Sequence, residues 1–532
     1  MSVDEYKAIQ SPDDLLKFLI ALEQKAPDLS RTEKSKLIVN LLEDLDTKPD
    51  EGEWSEELTA KAIEVLKLLG RETDITGSLF TSEGISILMK RAGFLGRPKP
   101  LDTSTSHEAL KCLSNCILLQ SSTKELIVER NGVEACFQLL SIPNLSMESQ
   151  FLACRILFFL TVNNHELTGK LIHLDIAPVL QKVLSDNVSK LVVAKGKIDT
   201  RSPINLNSVV SEALKLLFNL MLVGIRGQGT EDPEKQQSVS EYFSKCLYPM
   251  YDYMFNVPLS EPLPLSPPMT HAINAFMQYT FAVTTRMWRS CAEVASLCPT
   301  IQEGRVIVVN RALTVLDKSI SYLLPDDTDE PNPEALNVNI DATLPPLLLI
   351  IRTAAASEEE YLKLYREKLL PNAEDRKKPV HQGNTLPARL IRLMTSAMVP
   401  QTREAVCELF FVLCHEDASE FTQQVGYGNA IGFLVNRGIP VEPPQGSDPN
   451  NPGKDINPIT GQYVASEQED LPKLSEMTDE EKEREAERLF VLFERLKKTG
   501  VIDVENPVAK AMRENPERFQ ELDSDSDKDD DD

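Results

Sequence analysis

Catalytic punctuation is what this chain most lacks. No GxSxG, HExxH or Walker A run occurs in it, and its six histidines are scattered. Nothing in the sequence therefore assembles a nucleophile, a metal pair or a phosphate cradle, and no cofactor, metal site or covalent chemistry is expected. Aromatics are sparse at 6 %, with only two tryptophans. Leu and Ala recur instead, a balance that suits helix-on-helix packing better than a β-sandwich. Positive charge is also short: the formal net charge is −26, which excludes the basic footprint of a general nucleic-acid binder. No stretch approaches the roughly 18 uninterrupted apolar residues of a membrane span. The opening MSVDEYKAIQ is acidic and has no apolar core, so it is not read as a secretory leader. The cytosol, with reduced thiols, is the expected compartment. Cys112 and Cys116 lie four apart in KCLSNCILL. That segment offers no further ligands at metal-site spacing, so the pair is expected as buried core thiols. GYGNAIG, with Gly426, Gly428 and Gly432, has the wrong spacing and no preceding strand for a dinucleotide fingerprint, and reads as a turn entering a helix.

What is present is helical periodicity. SPDDLLKFLIALEQ opens with Ser11 or Asp13 as N-cap and sets Leu15, Leu16, Leu19 and Leu22 on one face, the 3.6-residue pattern of an amphipathic helix. TAKAIEVLKLLGRE repeats the pattern and stops near Gly70. Seven further segments follow: HEALKCLSNCILL, SMESQFLACRILFFL, VVSEALKLLFNLMLV, PMTHAINAFMQYTFAV, EGRVIVVNRALTVLDKSISYLL, LPARLIRLMTSAM and QTREAVCELFFVLC. Their spacing of about 40 residues is the armadillo/HEAT period. EALKCLSNCILL, EALKLLFNLMLV and HAINAFMQYTFA share a small–apolar–Asn–apolar pattern. A chain of 532 residues exceeds what one compact core accommodates. The expected architecture is all-α, an armadillo/HEAT-like right-handed superhelical solenoid over residues 1–438. Polar breaks at Gly96–Ser106, Gly227–Gln237, Pro258–Pro268 and Pro325–Asn337 are read as loops.

Beyond the array, 439–476 is rich in Pro, Gly and Asn and reads as a linker. MTDEEKEREAERLFVLFERLKKTG then predicts an amphipathic helix over 477–500. Thr478 and Glu481 form a capping box, and Gly500 closes the helix. Its stripe, which includes Leu489, Phe490 and Phe493, must be buried on the solenoid itself or on a partner. Residues 501–532 are expected as an acidic, largely disordered tail. Residues 461–532 hold 23 acidic and 11 basic side chains, either a steering field for basic partners or a solvated solubility tail.

Binding is the remaining chemistry. Asn115, Asn219 and Asn274 each interrupt an apolar helix. A buried amide needs partners, from a neighbouring loop carbonyl or from the backbone of a bound ligand. Arg71, Lys363 and Arg366 are candidate partners for a carboxylate, or ordinary solvated charge.

Several motifs resemble the synembryn family (resistance to inhibitors of cholinesterase). They are LPPLLLIIRTAAA followed by REKLLP, then LPARLIRLMT, AVCELFFVLC and VGYGNAIGFLVNRGI, and beyond the linker NPITG and MTDEEKEREAERLFVLFERL. The resemblance covers most of the chain and is densest from Leu344 to Lys498. It implies a chaperone and non-receptor exchange factor for G protein α subunits, which promotes GDP release and holds Gα without nucleotide until GTP binds. The Gα C-terminal helix would lie in a groove for which Arg71, Asn115, Asn219, Asn274, Lys363 and Arg366 are candidates. Leu489, Phe490 and Phe493 would clamp the Ras-like domain. Such a protein is expected as a cytoplasmic monomer, reaching the cell cortex or plasma membrane through Gα. A generic armadillo-type adaptor without exchange activity shares the fold, but does not account for the motifs after the linker. Before NPITG the stretch VEPPQGSDPNNPGKD has one Ser and few acids, unlike the family's phosphorylated acidic tract. Ser524 and Ser526, set among aspartates in the tail, suit an acidophilic kinase instead. The RTAAASEEEYLKLYRE stretch is more acidic than the family pattern.

Overall fold

The computed structural model describes residues 3–72, 77–199, 201–226, 233–291, 300–325, 331–440 and 454–470. Among them no strand occurs, and Ile456 forms an isolated antiparallel bridge with Tyr463. The helices that build the array, numbered in chain order, are α1 (Pro12–Lys25), α2 (Arg31–Thr47), α3 (Glu56–Leu69), α4 (Ser82–Arg91), α5 (Ser104–Leu119), α6 (Gly132–Leu140), α7 (Met147–Thr161), α8 (Ile176–Val193), α9 (Leu206–Ile225), α10 (Leu247–Asn256), α11 (Met269–Phe276), α12 (Phe281–Ser290), α13 (Ile301–Leu323), α14 (Pro345–Ser357), α15 (Glu359–Leu369), α16 (Pro400–Leu413) and α17 (Tyr427–Asn436).

They stack in two rows. The first runs α1, α3, α5, α7, α9, α11, α14, α16, each packed on the next. The second holds α2, α4, α6, α8, α10, α12, α13 and α15 behind it. This is an all-α solenoid, and the cause is visible in single helices. α9 buries Val209, Val210, Ala213, Leu214, Leu216, Leu217, Leu220 and Met221, because α7 and α11 flank it and α8 lies behind. No repeat could bury such a surface alone. By length and composition α9 is apolar enough to cross a membrane, as is the stretch Ile340–Ser357. In α9 that apolarity serves packing on three sides.

Caps set the helix starts. Ser30, Thr103 and Asn205 close reciprocal capping boxes at α2, α5 and α9. Ser11 is the N-cap of α1, without a side-chain bond, and Gly70 is the C-cap of α3. Three expectations change. Helix Pro233–Tyr242 begins inside the loop expected at Gly227–Gln237. PMTHAINAFMQYTFAV is two helices, not one, because the chain turns where Tyr279 buries its ring and donates to the Phe243 carbonyl at 3.0 Å. Within the stretch expected as a linker, residues 454–467 dock on the end of the array. Ile456, Gln462 and Tyr463 are buried there.

That docking explains Gly426 and Gly428 of GYGNAIG. Gly426 has φ +81, and a Cβ on it would stand 2.7 Å from the Ile459 carbonyl oxygen; a Cβ on Gly428 would stand 3.3 Å from the same atom. The amides of Tyr427 and Gly428 donate to the Pro458 and Ile459 carbonyls at 2.9 and 3.1 Å. The glycines thus admit the NPITG turn to the start of α17. From the other side, fully buried Arg376 donates to the Gly461 carbonyl at 2.9 Å and to Gln424 Oε1 at 2.9 Å.

Candidate partner-binding face

The solvent side of the first row carries a continuous stripe of charge and aromatic rings. At its N-terminal end a hollow of about 540 Å³ crosses α1, α3, α5 and α7, bordered by Ile20, Lys61, Glu64, His107 and Lys111. Lys61 bridges Glu23 at 2.5 Å and Glu64 at 2.9 Å. Glu108 on α5 receives Lys67 and Lys111, each at 2.6 Å. Burial works to raise the Glu108 pKa, but the two lysines outweigh it and hold the carboxyl below its ordinary value.

The middle of the stripe is α7 and α9. Arg155 stands over the Phe151 and Phe159 rings, 5.7 and 5.2 Å from their centroids, and pairs with Glu212 at 3.0 Å. Lys215 covers Phe158 at 5.2 Å and pairs with the same Glu212 oxygen at 2.7 Å. The other Glu212 oxygen is buried without a hydrogen-bond partner among the described residues. Next along, His271 on α11 is pushed down to about 4 by burial and by the Lys215 charge, so it is neutral at pH 7. It borders a second hollow of about 340 Å³ between α11 and the segments 263–267 and 337–346, together with Asn274. In a chain of net charge −26, this face twice sets one carboxylate between two cations. Planar guanidinium on aromatic rings, flanked by half-buried apolar surface, is a surface suited to another protein.

The structure separates the three asparagines. Asn219 is buried and donates to Thr161 Oγ1 at 2.8 Å; it ties α9 to α7. Asn115 and Asn274 are half-buried, and neither side chain makes a hydrogen bond among the described residues. Their amides are available to a bound backbone. Arg71 is exposed just past α3. Lys363 and Arg366 lie on α15 in the second row. Lys363 is exposed beside Glu359 at 3.6 Å. Arg366 is engaged internally, donating to the Leu413 carbonyl and to Glu420 at 2.7 Å. Leu489, Phe490, Phe493, Ser524 and Ser526 lie outside the described residues. Arg155, Lys215 and the α7 rings were not among the expected residues. Their signal was in SMESQFLACRILFFL, where Phe151, Arg155 and Phe158/Phe159 recur at helical spacing on one face.

Ser146, His107 and Asp102 come together in an arrangement that resembles a catalytic triad and is not one. Asp102 Oδ1 meets His107 Nε2 at 2.8 Å, and Ser146 Oγ stands 3.1 Å from that same ring nitrogen. A relay needs the acid and the hydroxyl on opposite nitrogens. Here the carboxylate binds the start of α7 instead, accepting from the Ser146 amide at 2.8 Å and Ser149 Oγ at 2.8 Å. Burial acts to raise its pKa, but these bonds prevail and hold it at about 2. Cys112 and Cys116 are buried free thiols, as are the other described cysteines.

The fold and the face define a helical solenoid that presents a long, mixed cationic and aromatic surface for a macromolecular partner. Comparison with known families narrows the class. Residues 62–516 match the family described as guanine nucleotide exchange factor synembryn, and the chain belongs to that family. Its relatives include the zebrafish (Danio rerio) chaperone Ric-8A, 25 % identical over 484 residues, which cover 83 % of this chain and 81 % of the relative. The chicken (Gallus gallus) chaperone Ric-8A is 25 % identical over 504 residues, 89 % and 87 % of the two chains. The chaperone Ric-8 of Drosophila pseudoobscura pseudoobscura is 24 % identical over 430 residues, 74 % and 70 %.

Proposed function

We propose that this protein binds G protein α subunits, assists their folding, and promotes GDP release as a non-catalytic exchange factor. The reading rests on family membership together with one observation: the first row offers two uncommitted half-buried amides, Asn115 and Asn274, on either side of the Arg155–Glu212–Lys215 cluster. An amphipathic helix laid along this face would meet hydrogen-bond donors and acceptors at Asn115 and Asn274. Between them it would meet flat apolar rings at Phe151, Phe158 and Phe159, and cations for its acidic side chains at Arg155 and Lys215. The C-terminal helix of Gα is the proposed occupant.

Exchange follows from differential binding. A ligand shifts an equilibrium only by its preference between two states. If the face holds the Gα C-terminal helix away from its own seat, the loop that supports the guanine base loses its backing and GDP leaves. Linkage then requires nucleotide to weaken the complex by the same factor. The chaperone action is the same contact made earlier, when the apolar side of that helix is exposed on an incompletely folded subunit. Residues 477–500 supply the second hold on the Ras-like domain, and recruitment from the cytoplasm to the plasma membrane runs through Gα.

The test is GDP release from a purified Gα subunit with and without this protein, followed by size exclusion without nucleotide. Faster release and a co-eluting complex dissolved by a GTP analogue are expected. Absence of both, across all Gα subunits of the same organism, refutes the proposal. Deletion of 477–532 should abolish exchange; full affinity and activity after that deletion would favour an adaptor that binds through its face alone.

A further inference from the structure

The regular stacking of the first row is interrupted once, where α11 and α14 touch only sparsely and α12, α13 and α15 close in around them. At this joint the structure holds an apolar pocket of about 160 Å³, partly open to solvent and lined by Tyr251, Phe276, Phe281, Trp288, Ile350 and Tyr365. A space of this size takes a single ring, since an enclosed apolar cavity of about 150 Å³ accepts benzene. The rings are arranged edge to face. Tyr251 meets Trp288 at 5.2 Å and Phe276 at 6.0 Å, and Phe281 meets Tyr361 at 6.1 Å. This geometry accepts one more ring.

Polar groups in the wall are mostly spent. Arg311 donates to the Met254 and Val257 carbonyls at 2.7 and 2.8 Å, and Tyr251 donates to the Thr284 carbonyl at 2.8 Å. Of the lining side chains that make no hydrogen bond among the described residues, Tyr365 is the most deeply buried. It is 1 % exposed, it lines the cavity, and its hydroxyl makes no hydrogen bond among the described residues. Burial raises its pKa further above the ordinary tyrosine value, so it stays protonated and can donate.

We infer that this cavity is a binding site for a small single-ring aromatic molecule carrying one hydrogen-bond acceptor, which Tyr365 recognises. The site is independent of the proposed Gα-binding face. Its occupant would bridge α11 and α14 and stiffen the joint between the two halves of the array.

The full-length protein is titrated against 4-fluorophenol and, separately, fluorobenzene, observed by ligand ¹⁹F NMR. Saturable broadening with both probes is expected. Tyr365→Phe should weaken 4-fluorophenol about five-fold, the factor one neutral hydrogen bond supplies, and leave fluorobenzene unchanged. Ala354→Leu and Ala312→Leu, which each place a larger side chain in the wall, should remove binding of both. Circular dichroism melts identify any variant that has not folded, and either filling variant suffices. Non-saturable behaviour of both probes overturns the inference, as does binding that survives a folded filling variant. An equal loss of both probes in Tyr365→Phe removes the assigned role of the hydroxyl.

Discussion

Replacing Arg376 by Met should release the NPITG segment while leaving the solenoid folded. Arg376 is wholly buried and donates to the Gly461 carbonyl and Gln424 Oε1, each at 2.9 Å, with a longer contact of 3.4 Å to the Gln423 carbonyl. Its own carbonyl accepts from the Tyr463 amide at 2.8 Å. Hydrogen bonds to a charged group contribute about 1.5–3 kcal/mol each, so the two short ones amount to roughly 3–6 kcal/mol. Methionine fills much of the space but leaves the Gly461 carbonyl facing apolar surface. The segment has a cheaper alternative: it can detach and hydrate, so the loss is capped at the free energy of its docking and appears as local opening. With about 3 kcal/mol lost, amide exchange at Gly461 and Tyr463 should accelerate about a hundred-fold, while amides in α7 and α9 exchange at unchanged rates. Gly426→Ala should open the same segment by another route. Its Cβ would meet the Ile459 backbone oxygen at 2.7 Å at a residue with φ +81, and neither backbone atom can give way cheaply. Because both changes act on one docked unit, their effects should not add in the double variant. Unchanged exchange in 456–463, or a uniform acceleration through the whole array, would refute the reasoning.

Other predictions follow from the binding face and its charges. Arg155→Ala should weaken association with Gα at least ten-fold with little change in melting temperature, since Lys215 still pairs with Glu212; calorimetric titration and a thermal melt measure the two. His271 is pushed down to about 4, so between its ordinary value and 4 the unfolded chain takes up a proton that the folded chain refuses. Stability should therefore fall as pH drops through that window, by at most about 3 kcal/mol. His271→Gln should flatten the dependence of urea midpoints measured from pH 7 to 4.5. Asp102, held at about 2 by Ser146, His107 and Ser149, contributes stability above the ordinary carboxylate range that is lost as pH falls toward 2. Asp102→Asn should cost about 1 kcal/mol after allowance for solvent and flatten the acid limb of the denaturation curve.

Much of the architecture was legible because a helix must bury a stripe, and stripes are local. Leu15, Leu19 and Leu22 declare α1 from their spacing alone, and Gly70 ends α3 where the pattern stops. The motif order LPARLIRLMT, AVCELFFVLC, VGYGNAIGF and NPITG likewise sits in the primary structure, and with it the family. The Asn-bearing pattern identified three helices that stack in one row, α5, α9 and α11, with α7 between the first two. Which asparagine is committed was not legible. Asn219 is satisfied by Thr161, 58 residues away, whereas Asn115 and Asn274 have no such partner among the described residues, and the three local contexts look alike. Arg366 reads as an available cation in YLKLYREKLLP until the turn after α16 brings Leu413 and Glu420 to it. The glycines of GYGNAIG are the clearest case. Locally they are only a turn entering a helix, and it takes the return of Ile459 from more than twenty residues downstream to show why Gly426 admits no Cβ and why Gly428 is tightly faced. Periodicity and caps are properties of neighbouring residues and are written in sequence. Partnership, burial of charge and close backbone approach depend on chain segments that meet only after folding, and those the tertiary structure alone decided.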